Sequence, residues 1–180
     1  MLQFDLKKAV LKKVVLIAAL IAPMSTMAGE VMHTLKASLL KDRTGLVYIG
    51  YDVDKKLLKP YLSQLQAHLG EDKFKVFRAG QAKRDHNHFH ITLINPFEHP
   101  DVKSIDVATL PEISFTFEGL GTAANDKDRT FFVVVSSDKA QKVRKSHGLK
   151  TKDFHVTLGF DSQDVFGVSK GMDSLLDAKN

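Results

Sequence analysis

The chain has 180 residues, a formal net charge of +5 and no cysteine. This length allows one domain with its own hydrophobic core. The missing cysteines exclude disulfides, a thiol nucleophile and cysteine-ligated zinc. Because four lysines and one aspartate lie in residues 1–28, the rest of the chain holds 22 basic and 20 acidic residues. The overall charge therefore gives no argument for nucleic-acid binding.

Residues 1–28 are predicted to be a secretory signal peptide. A lysine-rich start leads into an unbroken apolar run over 14–22, and the small residues Thr26 and Ala28 suit a peptidase that cuts before Gly29. An uncleaved membrane anchor is the alternative, but the run is shorter than the roughly 20 residues that cross a bilayer. We therefore expect a periplasmic or secreted protein.

The rest of the chain is predicted to be a polar N-terminal arm over 29–43 and one domain over 44–180. Runs of β-branched and aromatic residues bounded by turn residues predict six strands. These strands cover 44–53, 75–79, 88–94, 112–120, 129–136 and 152–160. Helical spacing of apolar residues and aspartate caps predict two helices. The helices cover about 54–69 and 138–147.

The predicted elements fall into two similar halves. The first half, roughly 44–110, has the order β-α-β-β and includes a polar, basic loop over 80–85. The second half, roughly 111–180, has the order β-β-α-β. The similar length and content of the halves indicate an internal duplication with approximate two-fold symmetry.

The last strand of each half carries the same short phrase, FHITL at residues 89–93 and FHVTL at residues 154–158. The composition predicts fewer than one chance match to His-x-Ser/Thr-apolar, so two matched copies favour a function over ordinary half-buried strands. Side chains alternate between the two faces of a strand, so the histidine and threonine of each copy share a face. Two such strands together would place two imidazoles and two hydroxyls around one cleft.

This pair of strands resembles the 2H phosphoesterase superfamily, also called LigT-like, over most of residues 44–165. The resemblance implies an α+β fold of two pseudo-symmetric lobes of antiparallel sheet, with outer helices and a central cleft. It also implies a metal-independent phosphodiesterase without a cofactor. The family's substrates are 2′,3′-cyclic phosphates of nucleotides or RNA ends, ADP-ribose cyclic phosphate and 2′-5′-linked oligonucleotides.

Hydrolysis of a phosphodiester needs a base for the attacking water and an acid for the leaving oxygen. Histidine can do both near neutral pH, and hydroxyl donors can stabilise the charge that builds on the phosphate oxygens. We therefore predict His90 and His155 as acid and base, and Thr92 and Thr157 as hydroxyl donors. The sequence leaves open which histidine is the base.

Four further residues are candidates for binding the substrate. Tyr51 and Phe160 could stack on a base, His88 could contact phosphate from the cleft rim, and Arg84 could hold a second phosphate. We expect a nucleotide or RNA as the partner, no DNA, no membrane after signal cleavage, and a monomer.

Two other interpretations remain open. A protein of the same fold could be a non-catalytic module that binds nucleotides or RNA. His86, His88 and His90 alternate and could share a divalent ion if the strand begins early, which would give a His-rich, metal-binding exported protein. No carboxylate lies inside this run of histidines.

Overall fold

The computed structural model describes residues 32–176, and this part of the chain contains seven β-strands and three α-helices. The strands are β1 (Met32–Leu35), β2 (Ala37–Lys41), β3 (Val47–Asp52), β4 (His90–Ile94), β5 (Ile113–Ala124), β6 (Arg129–Ser136) and β7 (Phe154–Phe160). The helices are α1 (Lys59–Leu69), α2 (Glu71–Arg84) and α3 (Asp138–Ser146). The predicted signal peptide lies outside the described residues. None of the helices within 32–176 is long and apolar enough to cross a membrane.

The seven described strands form one antiparallel sheet in the order β1-β5-β6-β7-β4-β3-β2. The first half of the chain contributes β2, β3 and β4, and the second half contributes β5, β6 and β7. The two halves meet where β4 pairs with β7. This arrangement confirms the predicted α+β fold of two similar halves and shows that both halves share one continuous sheet.

The structure corrects the predicted arm over residues 32–41, which form the two edge strands of the sheet. β1 pairs with β5, and β2 pairs with β3. Both strands have four or five residues and are partly exposed. Such short edge strands are set by their partners more than by their own pattern, which is why the sequence did not predict them.

A second correction concerns residues 71–84, which form α2 rather than the predicted strand over 75–79 and the loop after it. Gly70 ends α1 with a φ of +75°, a conformation that favours glycine, and a new helix begins at once. Acidic residues in the first turn and basic residues in the last turn suit the helix dipole. The buried Phe77 and Gln81 recur at helical spacing.

Two glycines allow α2 to lie close to β7, the strand with the second motif. A Cβ atom at Gly159 would come within 2.9 Å of the backbone of Phe77, and one at Gly80 within 2.7 Å of the carbonyl oxygen of Phe160. Glycine is the residue that permits such close approach. The second motif strand is therefore held against the helix.

The two faces of the sheet are covered differently. The main core cluster contains Ile91 and Val156, the middle residues of the two motifs, together with apolar residues of the helices. Within residues 32–176, five buried apolar residues lie outside that cluster, and they are Tyr48, Phe132, Val134, Phe160 and Val165. Residues 161–176, here called the C-terminal segment, run over part of this second face, where Leu175 forms a β-bridge with Gly121. The motif histidines and threonines lie on this second face.

Candidate active site

The two motifs meet at the centre of the sheet. β4 and β7 pair antiparallel through the middle residues of the motifs, so His90 lies opposite Thr157 and Thr92 lies opposite His155. Opposite side chains have Cβ atoms about 5 Å apart, and diagonal ones about 7–8 Å apart. The structure therefore places both imidazoles and both hydroxyls next to one another on one face of the sheet. The two histidines are diagonal neighbours across the β4–β7 pair.

The neighbouring strands complete the floor of the site with different residues on each side. On the first-half side, β3 places Asp52 opposite His90. On the second-half side, β6 places Phe132 opposite Thr157 and Val134 opposite His155. The site is therefore polar beside His90 and apolar beside His155.

His90 is surrounded by an aromatic ring and charged side chains. The ring of Tyr48 lies 5.0 Å from the imidazole, centre to centre. Burial lowers the pKa of His90 and the guanidinium of Arg84 adds to this effect, while the carboxylates of Asp85, Asp52 and Asp164 act in the opposite direction. These carboxylates favour the protonated form of His90.

His155 lies beside an apolar ring and near the ion pair of Lys170 and Asp164. Its imidazole lies 5.4 Å from the Phe132 ring, and Nδ1 lies 3.4 Å from the carbonyl oxygen of Asp153. A proton on Nδ1 donated to that carbonyl leaves the lone pair on Nε2. Burial and the ammonium of Lys170 lower the pKa of His155 and outweigh the opposing effect of the Asp164 carboxylate. The free site therefore favours a neutral imidazole here.

Four buried or partly buried charges form an ion-pair network beside the histidines. Arg84 donates to both oxygens of Asp85, at 2.7 Å each, and also donates to Asp164. Lys170 donates to the other oxygen of Asp164 at 2.9 Å. Burial alone would raise the pKa of Asp164, but Lys170 and Arg84 outweigh it and lower that pKa. The network joins the end of α2 to the C-terminal segment.

The structure changes the interpretation of Arg84 and Phe160. Arg84 already pairs with two carboxylates, so its guanidinium organises the network rather than offering a free site for a second phosphate. Phe160 is 4% exposed, and the guanidinium of Arg84 lies 5.0 Å above the centre of its ring. The predicted stacking of a substrate base on Phe160 is corrected, because the ring is covered.

Tyr51 lies on the opposite face of the sheet from the motif histidines. It is fully buried in the core cluster, 4.9 Å from the ring of Phe115, and its hydroxyl has no hydrogen-bond partner among the described residues. Alternation along β3 sends Tyr51 into the core and Asp52 toward the site. The prediction that Tyr51 stacks on a base is therefore corrected, and Tyr48 is the aromatic residue beside the site.

His88 lies at the rim of a cleft of about 200 Å³ that opens beside His90. Its Nδ1 atom lies 3.8 Å from a carboxylate oxygen of Asp52. His86 and Asn87 precede it with φ values of 52° and 62°, in the left-handed region that non-glycine residues seldom occupy. Such strained turns are common at functional sites.

The same turn separates the three histidines that were predicted to alternate along one strand. β4 begins at His90, and His86 belongs to the left-handed turn. No group of three or more His, Asp or Glu side chains within residues 32–176 is arranged to hold a metal ion.

A larger cavity, of about 590 Å³, lies beside Phe77 and Phe131 on the helix-covered face, away from the motif residues.

Sequence reasoning missed the buried charges beside the histidines. Asp85, Asp164 and Lys170 lie in no motif, and a charged residue in a polar stretch is usually exposed. Their role depends on the approach of the C-terminal segment to the end of α2. No local pattern in the sequence indicates that contact.

The family described as Swiss Army Knife, 2H phosphoesterase domain, matches residues 48–166, more than half of the chain and a range that contains both motifs. No curated protein and no solved structure matched the chain. The matched range begins in β3 and ends in the C-terminal segment, so it spans both halves of the sheet. This chain belongs to the 2H phosphoesterase superfamily.

Proposed function

We propose that the protein is a metal-independent phosphodiesterase that hydrolyses 2′,3′-cyclic phosphates on RNA ends or small nucleotides. The observation that supports this most is the pairing of Ile91 with Val156. In this register, a histidine and a threonine from each strand lie side by side on the face of the sheet away from the main core. Family membership supports a phosphodiester or cyclic phosphate as the substrate class.

In the proposed reaction, a water oxygen attacks the phosphorus while one histidine accepts a proton from that water. The bond between phosphorus and one ribose oxygen breaks, and the other histidine donates a proton to that oxygen. The product is a nucleoside monophosphate with a free neighbouring hydroxyl. The two histidines exchange protons with solvent before the next turnover.

We assign the base to His155 and the acid to His90. Burial and Lys170 favour the neutral form of His155, and its contact with the Asp153 carbonyl leaves Nε2 free to accept a proton. Burial also lowers the pKa of His90. An arriving phosphate anion, added to the carboxylates beside His90, would raise that pKa and supply the protonated acid.

The other site residues have supporting roles in this proposal. Thr92 and Thr157 donate hydrogen bonds to the non-bridging oxygens of the phosphate. The cleft beside His90 receives the nucleoside, with His88 and Tyr48 on its walls. Arg84 holds the network that borders the site and makes no direct contact with the phosphate.

Turnover of 2′,3′-cyclic AMP in the presence of EDTA tests the function. The wild-type protein should produce a monophosphate, and the double variant His90→Ala/His155→Ala should not. His147→Ala is a matched control, because that histidine ends α3 outside the site. Binding of the nucleotide without turnover would instead support the non-catalytic module. A panel of cyclic-phosphate-ended RNA and 2′-5′ dinucleotides would then rank the substrates.

We also propose that the enzyme works in the periplasm or outside the cell. The support is the sequence pattern of residues 1–28, with its lysine-rich start and apolar run. Mass spectrometry of the protein from an exporting bacterial host should show a mature N-terminus at Gly29. An intact N-terminus on a membrane-bound protein would indicate an anchor instead.

A further inference from the structure

Lys170 is a buried lysine on the same face of the sheet as the motif histidines. Its side chain is 7% exposed, and Nζ lies 5.6 Å from the centre of the Phe132 ring. His155 packs against the same ring from 5.4 Å. The C-terminal segment therefore places an ammonium group beside the second motif.

The protein neighbours of this ammonium neutralise only part of its charge and accept from only some of its N–H donors. A lysine ammonium has three N–H donors, and within the described residues Nζ of Lys170 donates one side-chain hydrogen bond, to Asp164. Asp164 also accepts from Arg84, so one carboxylate is shared between two cations. A buried ammonium is costly unless it is fully paired. Its incomplete pairing suits a position that an anion occupies during the reaction.

The two cations of the network differ in this respect. Arg84 is paired with both oxygens of Asp85 as well as with Asp164. Its charge is therefore well compensated by protein groups. Lys170 has a share in Asp164 and weaker contacts with the rings of Phe132 and Phe166. Of the two, Lys170 is the cation with capacity for a further anion.

We propose that Lys170 binds a non-bridging oxygen of the scissile phosphate and stabilises the negative charge that builds there in the transition state. This inference rests on the phosphodiesterase function proposed above and assigns one more catalytic residue to it. A fixed cation in a site with little water acts more strongly on such charge than one in solution. Asp164 and Arg84 are positioning residues that hold the lysine in place.

The activity test compares Lys170→Met with Lys170→Arg. Methionine keeps much of the length of the side chain but removes the charge, so kcat for 2′,3′-cyclic AMP should fall about 10²-fold, as for loss of one oxyanion donor. Arginine should restore part of that loss. Lys139→Met is the control, because the ammonium of Lys139 is bound to a backbone carbonyl at Glu112. A kcat for Lys170→Met within about threefold of wild type overturns the proposal.

A second measurement needs no variant that removes the charge. In the folded wild-type protein, the ¹³Cε resonance of Lys170, identified from its loss in Lys170→Arg, should move when inorganic phosphate is added. The resonance of Lys139 should stay fixed. A Lys170 resonance that does not move overturns the proposal even if the enzyme is active. Movement without any turnover supports a phosphate site at Lys170 while the proposed hydrolysis fails.

Discussion

The two copies of the motif have nearly the same sequence but different charged neighbours. The largest charge effect on His90 comes from the carboxylate of Asp85, which raises its pKa against the effect of Arg84. The largest charge effect on His155 comes from the ammonium of Lys170, which lowers its pKa against the effect of Asp164. The repeated strands give the two halves equivalent positions in the sheet. Asp85 and Lys170 come from parts that do not repeat, namely the turn after α2 and the C-terminal segment, whereas Asp52 is the last residue of β3. The two motif strands thus supply two histidines in matching positions, and we propose that their different charged neighbours suit His90 to be the acid and His155 to be the base.

The largest effect is expected from removing either histidine. His90→Ala and His155→Ala should each lower kcat about 10²–10⁴-fold, since each loses one proton-transfer step. The remaining activity should distinguish the two roles. The rate of His155→Ala should no longer fall on the acidic side of the pH profile, because the group that must be neutral is gone. The rate of His90→Ala should no longer fall on the alkaline side.

The pH dependence of kcat/KM for both variants, together with their circular dichroism, measures this difference. If His155→Ala instead lost the alkaline limb of the pH profile and His90→Ala lost the acidic limb, the assignment of acid and base would be reversed. Full activity in either folded variant would contradict the two-histidine mechanism.

Variants of the two threonines should show whether the first and second motif strands contribute equally to stabilising the phosphate. Thr92→Val and Thr157→Val remove a hydroxyl with little change in volume, and each should lower kcat about 10²-fold. Serine at either position keeps the hydroxyl and should restore most of the activity. A difference of more than about tenfold between the two valine variants would show that the electrostatic asymmetry extends to phosphate binding. Steady-state kinetics on all four variants gives the comparison.

Some parts of this asymmetric site could be predicted from the sequence. Alternation in the two motifs predicted strands with the histidine and threonine on one face, because a strand has a side-chain period of two. β6 was also predicted at its observed bounds, since a continuous apolar run such as 131–135 is typical of a buried strand. The family resemblance rested on the same residues.

Other parts depend on contacts that a local pattern does not contain. The apolar residues Phe74, Val76 and Phe77 fit a short strand as well as the helix that they form, and packing against β7 decides between the two. Asp164 and Lys170 belong to a polar stretch without a motif. They are buried because the C-terminal segment runs over the sheet, and the electrostatic difference between the histidines follows from that burial.

The half-buried motif histidines should make the fold sensitive to acid. The pKa values of both His90 and His155 are lowered in the folded protein, whereas the unfolded chain takes up these protons near pH 6.5. Stability should therefore be complete above about pH 6.5 and fall as the pH drops below it, by up to about 1.4 kcal/mol per pH unit for each histidine. Urea unfolding at pH 7 and pH 5 measures the loss.

The same measurement on single variants separates the two copies. His155→Asn should reduce the acid sensitivity more than His90→Asn. The largest charge effect at His155, from Lys170, adds to burial, whereas the largest at His90, from Asp85, opposes it. Equal reductions would show that burial alone, and not the charges, sets the behaviour of both histidines.

The smallest effect is expected from Asp52→Asn. Asp52 lies opposite His90, but its side chain is 60% exposed, so solvent screens its influence. Its loss should lower the pKa of His90 further, because this carboxylate favours the protonated imidazole. The alkaline limb of the pH profile should then move to lower pH, and kcat at pH 7 should fall a few-fold, about the effect of a weak surface ion pair. Asp126→Asn, in the exposed turn before β6, is the matched control.

High salt should reduce the shift of the alkaline limb for Asp52→Asn. A limb that does not move at low salt would mean that the buried Asp85, rather than both carboxylates, makes the first copy of the motif different from the second.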